Sequence, residues 1–524
     1  MPAGYLSLVL HAHLPFLRHR EKKYFLQERW FFEALTECYI PLIKMMDQLD
    51  GDGLFFRFTL SISPPLLHMF KDPLLSERYL GYLLNLQKLA EEEVKRTKGD
   101  QTFNRLARMY RDRFQETEII YEYYDRDPAM AFKRFKDAGK LELITSGATH
   151  GYLPLLAEQP QAVKAQIKYA VECYREAFGE TPPGFWLPEC GYYPGVDQYL
   201  ADEGIKYFFV DSHGLLFARP QPRFGTYAPI TTSRGVNAFA RDEETSKQVW
   251  SAEEGYPGDF DYREYYRDIG YDLEWNYIKN YIPHHDKTHT GIKYYRITGK
   301  GQYKEPYNPD WAREKAAIHA GNFIFNRSLQ AKHLIGHMER PPMMIAPYDA
   351  ELFGHWWYEG PQWLEYLLRK VACDQEDLAM ITPSDYLDLF ADNQPAEPCQ
   401  SSWGNEGYSA VWLESSNDWI YRHLHRAARM MSEMANALPN ARGIKKRALE
   451  QAARELLLAQ SSDWAFIMKT GTLVDYARER TNKHLERFNR IYQSLASGKI
   501  DKRWLFEIAA EDNIFPRIDY RVYQ

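Results

Sequence analysis

The chain has 524 residues, of which 45% are hydrophobic, and its 65 basic and 72 acidic residues give a net charge of −7. A chain of this length predicts a large catalytic core with one or two smaller attached domains. Because the charges are well mixed and no basic stripe or basic amphipathic helix occurs, neither nucleic acid nor a membrane surface is expected as a partner.

Other general features narrow the class of protein. No apolar run approaches the roughly 20 residues that a membrane helix needs, and the N-terminal apolar run lacks the basic flank and cleavage site of a signal peptide. The five cysteines are scattered without a C-x-x-C pair, which is typical of free thiols, so we expect a cytoplasmic protein. Aromatic residues make up 15% of the chain, which suits carbohydrate binding as well as a tyrosine-rich core.

Short apolar runs alternate with helical patterns along the first 395 residues. Runs of this length, bounded by polar, Gly or Pro residues, are typical of buried parallel strands. The predicted strands are 6–11, 55–62, 141–145, 184–188, 207–210, 236–240 and 343–347, with a weaker one at 378–381. About seven β–α units predict an α/β fold, either a barrel or a doubly wound sheet.

Three stretches depart from this alternation. Residues 71–135 are charged and helix-prone, and we interpret them as a helical insertion in a catalytic domain that spans 1–395. Residues 242–308 form an aromatic-rich loop insertion, and loops of that length are usually functional when they are ordered. From 396 to 524 the chain reads as an irregular junction followed by long helices, which predicts a C-terminal α-helical domain.

Polar or ionisable residues follow five of the predicted strands. They are His11 and His13 after the first, His150 after the third, Glu189 after the fourth, Asp211 after the fifth and Asp349 after the seventh. In parallel barrels the carboxyl ends of the strands face one mouth, where catalytic residues gather. We therefore expect these side chains to converge.

One chemistry for such a mouth is metal-dependent hydrolysis. His11 and His13 alternate along a strand and could share one metal, with Asp211 or Asp349 as a third ligand. H-x-H alone is a weak motif, and this option gives the neighbouring tryptophans no role.

The other chemistry is that of a two-carboxylate glycosidase. Glu189 and Asp349 come from separate strands and could face each other across the mouth, one as nucleophile and one as acid. The candidate platforms for sugar faces beside them are Trp186, Trp356 and Trp357. A third class, a non-catalytic glucan-binding protein, would keep the platforms but would not need the paired carboxyls.

Seven motifs together resemble glycoside hydrolase family 57, in its subgroup of branching enzymes and AmyC-like proteins. The motifs keep the family's order and span nearly the whole chain. They are "HAHLP" (11–15), "GATHGY" (147–152), "WLPECGY" (186–192), "QVWSAEEGYPGDFDYREYYRDIGYD" (248–272), "APYDAELFGHWW" (346–357), "SSWGNEGYSAVW" (401–412) and "AQSSDWAFI" (459–467).

This resemblance implies a distorted, TIM-like (β/α)7 barrel and a retaining mechanism on α-1,4-glucans such as amylose, glycogen and maltooligosaccharides, without a metal or another cofactor. The nucleophile would be Glu189 and the acid/base Asp349, whose pKa must then be raised by its surroundings. The remaining residues expected to bind substrate are His11, His13, His150, Asp211, Arg241, Gly258, Trp403 and Asp463.

The subgroup favours 1,4-α-glucan branching, with α-amylase-like hydrolysis or 4-α-glucanotransfer as the alternatives. Branching enzymes of the family often carry a long loop after the fifth strand, tipped by a tyrosine that favours a glucan acceptor over water. Here the segment 212–234 is short, and Tyr227 is its only tyrosine. This departure leaves the ratio of transfer to hydrolysis open.

Overall fold

A curled, mostly parallel sheet forms the centre of the molecule. The computed structural model describes residues 2–22, 25–251, 254–282 and 287–524. Its strands are β1 (Gly4–Ala12), β2 (Phe58–Ile62), β3 (Leu141–Ser146), β4 (Gly184–Trp186), β5 (Tyr207–Val210), β6 (Ile230–Thr231), β7 (Asn237–Ala240), β8 (Met343–Asp349), β9 (Leu378–Met380) and β10 (Gln394–Pro395).

Seven of these strands form the barrel, in the spatial order β7-β5-β4-β3-β2-β1-β8, all parallel to their neighbours. No ladder joins β7 to β8 within the described part of the chain. The gap is bridged there by the Asp242 amide, which donates to the Ile345 carbonyl at 2.9 Å. The predicted (β/α)7 barrel is confirmed. It is distorted because no strand ladder closes it between β7 and β8 in the described residues.

The alternation of side chains along β1 shows how the sequence builds both sides of the sheet. Leu6, Leu8 and Leu10 pack into the core shared with the surrounding helices. Tyr5 and Val9 belong to a smaller cluster inside the barrel. Because both faces are buried, the strand is mostly apolar, and its polar residues Ser7 and His11 are buried as well. His11 and His13 continue this odd-numbered series at the end of the strand.

Helices surround the sheet and fill the insertions. The helices of the first 395 residues are α1 (Glu28–Ala34), α2 (Ile40–Gly51), α3 (Pro64–Phe70), α4 (Pro73–Arg96), α5 (Gln101–Tyr123), α6 (Pro128–Asp137), α7 (Leu153–Leu156), α8 (Pro160–Phe178), α9 (Val196–Asp202), α10 (Ser212–Leu216), α11 (Glu243–Trp250), α12 (Ile269–Asp272), α13 (Trp275–Ile278), α14 (Pro309–Ile335), α15 (Gly360–Cys373) and α16 (Pro383–Leu389). A π-helical turn, Leu35–Tyr39, joins α1 to α2. None of the helices in the described ranges is long and apolar enough to cross a membrane.

The region after residue 395 stays attached to the barrel before it becomes helical. β10 pairs with β6, and the Tyr192 amide donates to the Ser401 carbonyl at 2.8 Å. The C-terminal helices are α17 (Trp419–Ala437), α18 (Gly443–Ala459), α19 (Ser462–Thr470), α20 (Val474–Ser497) and α21 (Lys502–Glu511). Their apolar residues share one continuous core with the barrel helices. The Ser462 amide at the start of α19 donates to the His150 carbonyl at 3.0 Å, so this helix begins at the barrel mouth.

Candidate active site

Glu189 lies in a short turn, Pro188–Cys190, directly after β4. Its backbone is left-handed, with φ of +61°, a conformation that costs a non-glycine residue on the order of 1–2 kcal/mol. Its Oε2 accepts a hydrogen bond from Trp403 Nε1 and its Oε1 accepts one from Ser462 Oγ, both at 2.9 Å. The C-terminal region therefore supplies both donors that hold this carboxyl.

The surroundings of Glu189 favour the anion through hydrogen bonds and oppose it through burial. Burial raises the pKa of Glu189 above its ordinary value, while the bonds from Trp403 and Ser462 lower it. Donors aimed at a carboxylate stabilise its charged form. A carboxylate with two fixed donors, partly shielded from water, is suited to act as a nucleophile.

Asp349 ends β8, and its Cα is in register with that of His11 on the neighbouring β1. Burial raises the pKa of Asp349 well above its ordinary range, and the nearby carboxyls of Glu351 and Glu189 raise it further. No side chain or amide of the described residues donates a hydrogen bond to its carboxyl. These surroundings favour the protonated form of Asp349, which is suited to donate a proton.

Three histidine rings stack beside these carboxyls. The His13 and His150 ring centroids are 3.8 Å apart, and His11 stacks on Trp186 at 4.9 Å. Burial lowers the pKa of His11 and His150 well below the ordinary value. Both rings are therefore neutral in the physiological range.

A hydrogen-bond chain leads through two of these rings to Glu189. Ser462 donates to the Glu189 carboxylate, so its oxygen must accept from His150 Nδ1 at 2.9 Å. The neutral His150 then accepts at Nε2 from His11 Nε2, 3.0 Å away, and His11 Nδ1 accepts from Ser61 Oγ at 3.1 Å. The chain fixes both tautomers and orients the hydroxyl that holds Glu189.

The pKa of His13 is raised, unlike those of His11 and His150, which favours the protonated, positively charged ring. Burial would lower the pKa of His13, but Asp463 and the nearby carboxyls of Glu189 and Glu351 raise it above its ordinary value. Its Nε2 lies 3.0 Å from Asp463 Oδ2. Burial acts to raise the pKa of Asp463, yet the His13 pair lowers it to about 2. The two residues form an ion pair between β1 and α19.

The hydrogen bonds of His11 and His13 bear on the metal hypothesis. Each of their four ring nitrogens has a partner in the protein: Ser61, His150, Ser63 or Asp463. One group in the described part of the chain has three potential ligands at metal-binding spacing, namely Glu455, His484 and Asp512, and it lies elsewhere, among the C-terminal helices. The arrangement at the mouth thus fits a hydrogen-bonded network better than a two-histidine metal centre.

Asp211 and Arg241 form another side of the mouth. Arg241 Nη2 lies 2.6 Å from Asp211 Oδ2, and the Ser212 amide donates to Oδ1 at 2.6 Å. Asp211 also begins α10 as its N-cap. The two predicted site residues are therefore one ion pair at the ends of β5 and β7, with Asp211 buried and Arg241 partly exposed.

The tryptophans differ in exposure, which corrects two of the predicted platforms. Trp186 has 0% and Trp357 1% of its surface exposed, so neither ring can stack on a sugar. Trp186 instead lies under His11, and Trp357 packs against Trp363. Trp356 is 54% exposed and Trp403 is half-buried at the nucleophile, so these two rings remain available.

Gly258 and Tyr227 are the other two residues that the sequence pointed to. Gly258 ends the turn Tyr256–Gly258, whose tyrosine packs on His319 of α14. Tyr227 accepts a bond at its carbonyl from the Met343 amide, at 2.9 Å, at the start of β8. Because Asp349 is at the other end of the same strand, Tyr227 is not at the mouth.

Sequence reasoning missed four hydroxyl residues that complete the network: Ser61, Ser63, Ser462 and Tyr39. The first three bond to the histidines, and the Tyr39 hydroxyl donates to Glu351. Ser61 and Ser63 end β2 in the same way that His11 and His13 end β1, which was the available indication for those two. Ser462 lies within a quoted motif, but nothing in its pattern pointed to a role.

Two sequence profiles and a curated relative match most of the chain. The sequence profile described as Glycosyl hydrolase family 57 matches residues 7–324, and the one described as 1,4-alpha-glucan branching enzyme, C-terminal, matches residues 423–523. The chain is 33% identical to 1,4-alpha-glucan branching enzyme TK1436 of Thermococcus kodakarensis, in a match that covers 98% of this chain and 77% of that protein.

Two solved structures cover the chain almost completely. The α-amylase AmyC of Thermotoga maritima is 45% identical with a TM-score of 0.94, covering 100% of this chain and 99% of its own. A GH57-type branching enzyme of Pyrococcus horikoshii is 32% identical with a TM-score of 0.89, covering 99% and 97%.

Proposed function

The chain belongs to glycoside hydrolase family 57, and on this basis we propose that it is a retaining 1,4-α-glucan branching enzyme. The observation that carries the proposal is the contrast between two carboxyls at one barrel mouth. Glu189 accepts two hydrogen bonds that favour its anion, whereas partial burial and the neighbouring carboxyls raise the pKa of Asp349 well above its ordinary range and favour its protonated form. This is the division of roles that a double-displacement glycosidase needs.

In the first half of the reaction the α-1,4 bond of a donor glucan is cleaved. Asp349 gives its proton to the glycosidic oxygen while the Glu189 carboxylate attacks the anomeric carbon. The C–O bond breaks, the protonated oxygen leaves with the released chain, and the donor stays as a glycosyl ester of Glu189.

In the second half Asp349, now a carboxylate, takes a proton from an acceptor hydroxyl. The acceptor oxygen attacks the anomeric carbon and Glu189 leaves as a carboxylate. If the acceptor is the 6-hydroxyl of another glucan, the product is an α-1,6 branch. If it is water, the product is a shortened chain.

The other predicted site residues have roles within this proposal that follow from where they lie. The histidine stack and Asp463 border Glu189 and would hold hydroxyls of the donor sugar. Trp403 and Trp356 offer ring surface for sugar faces. The Asp211–Arg241 pair would bind from the β5–β7 side, and Gly258 would contact glucan farther along the cleft.

The branching assignment rests on the C-terminal profile and on the branching enzymes that match nearly the whole chain. The product of this activity would be branched glycogen, made in the cytoplasm. The second candidate is α-amylase-like hydrolysis, which the 45% identity to AmyC favours. The short segment after β5, whose tyrosine lies away from the mouth, supports the same candidate.

Incubation with amylose separates the two candidates. Branching lowers iodine staining and creates α-1,6 linkages, which a debranching enzyme then cleaves, with few new reducing ends. Hydrolysis raises reducing ends in step with the loss of staining.

The Glu189→Gln and Asp349→Asn variants serve as controls for that assay. Each should lose turnover by at least about a thousand-fold and should still be retained on immobilised amylose. Full activity in either variant would overturn the proposed mechanism.

A further inference from the structure

The π-helical turn Leu35–Tyr39 lies against the segment that follows β8. Such turns are rare and often occur at functional sites. Its five residues are all buried, and the Ile40 amide bonds to the Leu35 carbonyl, so the turn holds one residue more than an α-helical turn. It is therefore a local widening placed directly beside the proposed proton donor.

Three consecutive residues of the turn bond to the segment 350–355. Tyr39 donates to Glu351 Oε1, Cys38 Sγ donates to the Ala350 carbonyl at 2.8 Å, and Glu37 Oε2 lies 2.7 Å from His355 Nδ1. Consecutive residues of a regular α-helix point in different directions and would not reach one partner segment in this way. The turn thus holds the segment 350–355, which directly follows Asp349, at three points.

Two neighbouring carboxyls differ in the hydrogen bonds that they accept at this turn. Glu351 accepts at Oε1 from both the Tyr39 hydroxyl and the His13 amide, the latter at 3.1 Å. Asp349 accepts no such bond within the described ranges. Two partly buried carboxyls whose charges interact do not both ionise readily, and hydrogen-bond donors favour the negative charge on the one that accepts them.

We propose that Glu351 and Tyr39 are positioning residues for the proton donor: Tyr39 and the His13 amide hold Glu351 as the anion, and this fixed charge keeps the proton on Asp349. The inference rests on the role proposed above for Asp349. The titratable groups that face the two carboxyls are His11 and His13 from β1, Cys38 and Tyr39 from the π-turn, and Glu189 and Cys190 from the turn after β4.

Burial raises the pKa of Glu351 above its ordinary value, while the bonds from Tyr39 and the His13 amide lower it. The pKa of Asp349 is raised well above its ordinary range with no such bond from the described residues to oppose the rise, so of the two carboxyls Glu351 gives up its proton more readily. After burial, the charge of Glu351 contributes most to raising the pKa of Asp349, ahead of that of Glu189. Glu189 must be ionised in any active form of the site, so Glu351 is the neighbour whose charge can be removed without removing the nucleophile.

The first test is Glu351→Gln, which keeps the side-chain shape and an acceptor for Tyr39 but removes the charge. The basic limb of kcat against pH should move to lower pH by at least about one unit, because Asp349 loses its proton more easily. KM for amylose should change by less than about two-fold. A basic limb that stays in place overturns the proposal.

The second test is a double-mutant cycle with Tyr39→Phe. In the wild-type background this change should lower kcat about five-fold or more, because part of the proton moves from Asp349 to Glu351. In the Glu351→Gln background it should lower kcat by less than about two-fold. An equal loss in both backgrounds would show a purely structural role for Tyr39.

Tyr79→Phe is the matched control. Tyr79 is also a buried tyrosine beside the π-turn, but its hydroxyl bonds to Thr36 Oγ1 at 3.0 Å and to no carboxyl among the described residues. Its pH profile should match that of the wild type, and a shift like that of Glu351→Gln would overturn the proposal. If Asp349→Asn loses turnover while Glu351→Gln leaves the basic limb in place, this inference fails and the proposed function stands.

Discussion

Glu189 and Asp349 have the same functional group and both follow a barrel strand, yet their neighbours give them different protonation states. Glu189 has an indole and a hydroxyl directed at its two oxygens. For Asp349, burial and two nearby carboxyls raise the pKa instead. The chemical roles therefore come from the residues around them, most of which are distant in the sequence.

Replacing Trp403 with Phe tests the first of these surroundings. The change keeps an aromatic ring and removes the donor to Glu189 Oε2, so the pKa of Glu189 should rise further. The acid limb of the pH–activity profile should move to higher pH, and kcat at neutral pH should fall about ten-fold, the cost of one bond to a charged group.

Trp412→Phe provides the control for that variant. Trp412 is also a tryptophan and is more deeply buried than Trp403, but its Nε1 has no hydrogen-bond partner among the described residues. Its acid limb should match the wild type. If Trp403→Phe also leaves the acid limb unchanged, the indole does not stabilise the Glu189 anion.

Sequence reasoning could locate the carboxyls and histidines because each follows an apolar run that marks a strand. It could not identify Ser462, since a lone serine carries no pattern and its contact with Glu189 spans 273 positions of the chain. Nor could it tell that Trp186 and Trp357 are buried, because exposure depends on which elements pack over a residue.

At the scale of elements, the seven barrel strands were predicted at the right places because buried parallel strands are uninterrupted apolar runs. The second was predicted to begin at residue 55 but begins at Phe58, since Phe55 is 66% exposed. The weak run at 378–381 does form β9, which pairs with β1 outside the barrel order. β6 and β10 have two residues each, too few to produce a periodic pattern.

The contact between the π-turn and the loop after β8 predicts that Gly354 cannot be replaced. Its φ is +111°, and a Cβ there would lie 1.8 Å from the Glu37 carbonyl oxygen. Gly354→Ala should lower the free energy of unfolding by on the order of 3 kcal/mol and reduce kcat, because the π-turn must move away from Glu351.

Gly139→Ala isolates the backbone contribution. Gly139 has φ of +71° with nothing within 4 Å of a Cβ, so it should cost only about 1 kcal/mol, and kcat should be unchanged. Chemical denaturation measures both variants. Equal costs would show that the close approach of Glu37 to Gly354 is unimportant.

At the scale of the whole molecule, the C-terminal helices contain a buried charge cluster of their own. Glu455 Oε2 lies 2.7 Å from His484 Nδ1, and Arg487 bonds to Asp512. Burial raises the pKa of Glu455 to about 7, and burial together with Glu455 raises that of Asp512 to about 6. Both carboxyls thus ionise only near neutral pH, where they depend on the guanidinium.

Arg487→Met should therefore destabilise the protein in a pH-dependent way. A raised carboxyl pKa in the folded state stabilises the fold at low pH, and this contribution is lost as pH rises through about 6 and 7 for Asp512 and Glu455. The loss in unfolding free energy should be about 3 kcal/mol at pH 8 and clearly smaller at pH 5.

The exposed pair Arg503–Glu507 gives the comparison. Arg503→Met should change stability by less than about 0.5 kcal/mol at either pH. Urea titrations at the two pH values measure both variants, and a pH-independent loss in Arg487→Met would contradict the expected ionisation of the carboxyls.

Glu189 takes both of its side-chain hydrogen bonds from Trp403 and Ser462, and this has a consequence for biosynthesis. The ribosome synthesises the chain from its N-terminus, so all seven barrel strands emerge before Trp403 and Ser462 have been made. A nascent barrel would present the nucleophile without the groups that keep it ionised. In the proposed mechanism a nascent chain would therefore become competent to cleave glucan only after Trp403 and the start of α19 have been made and have docked.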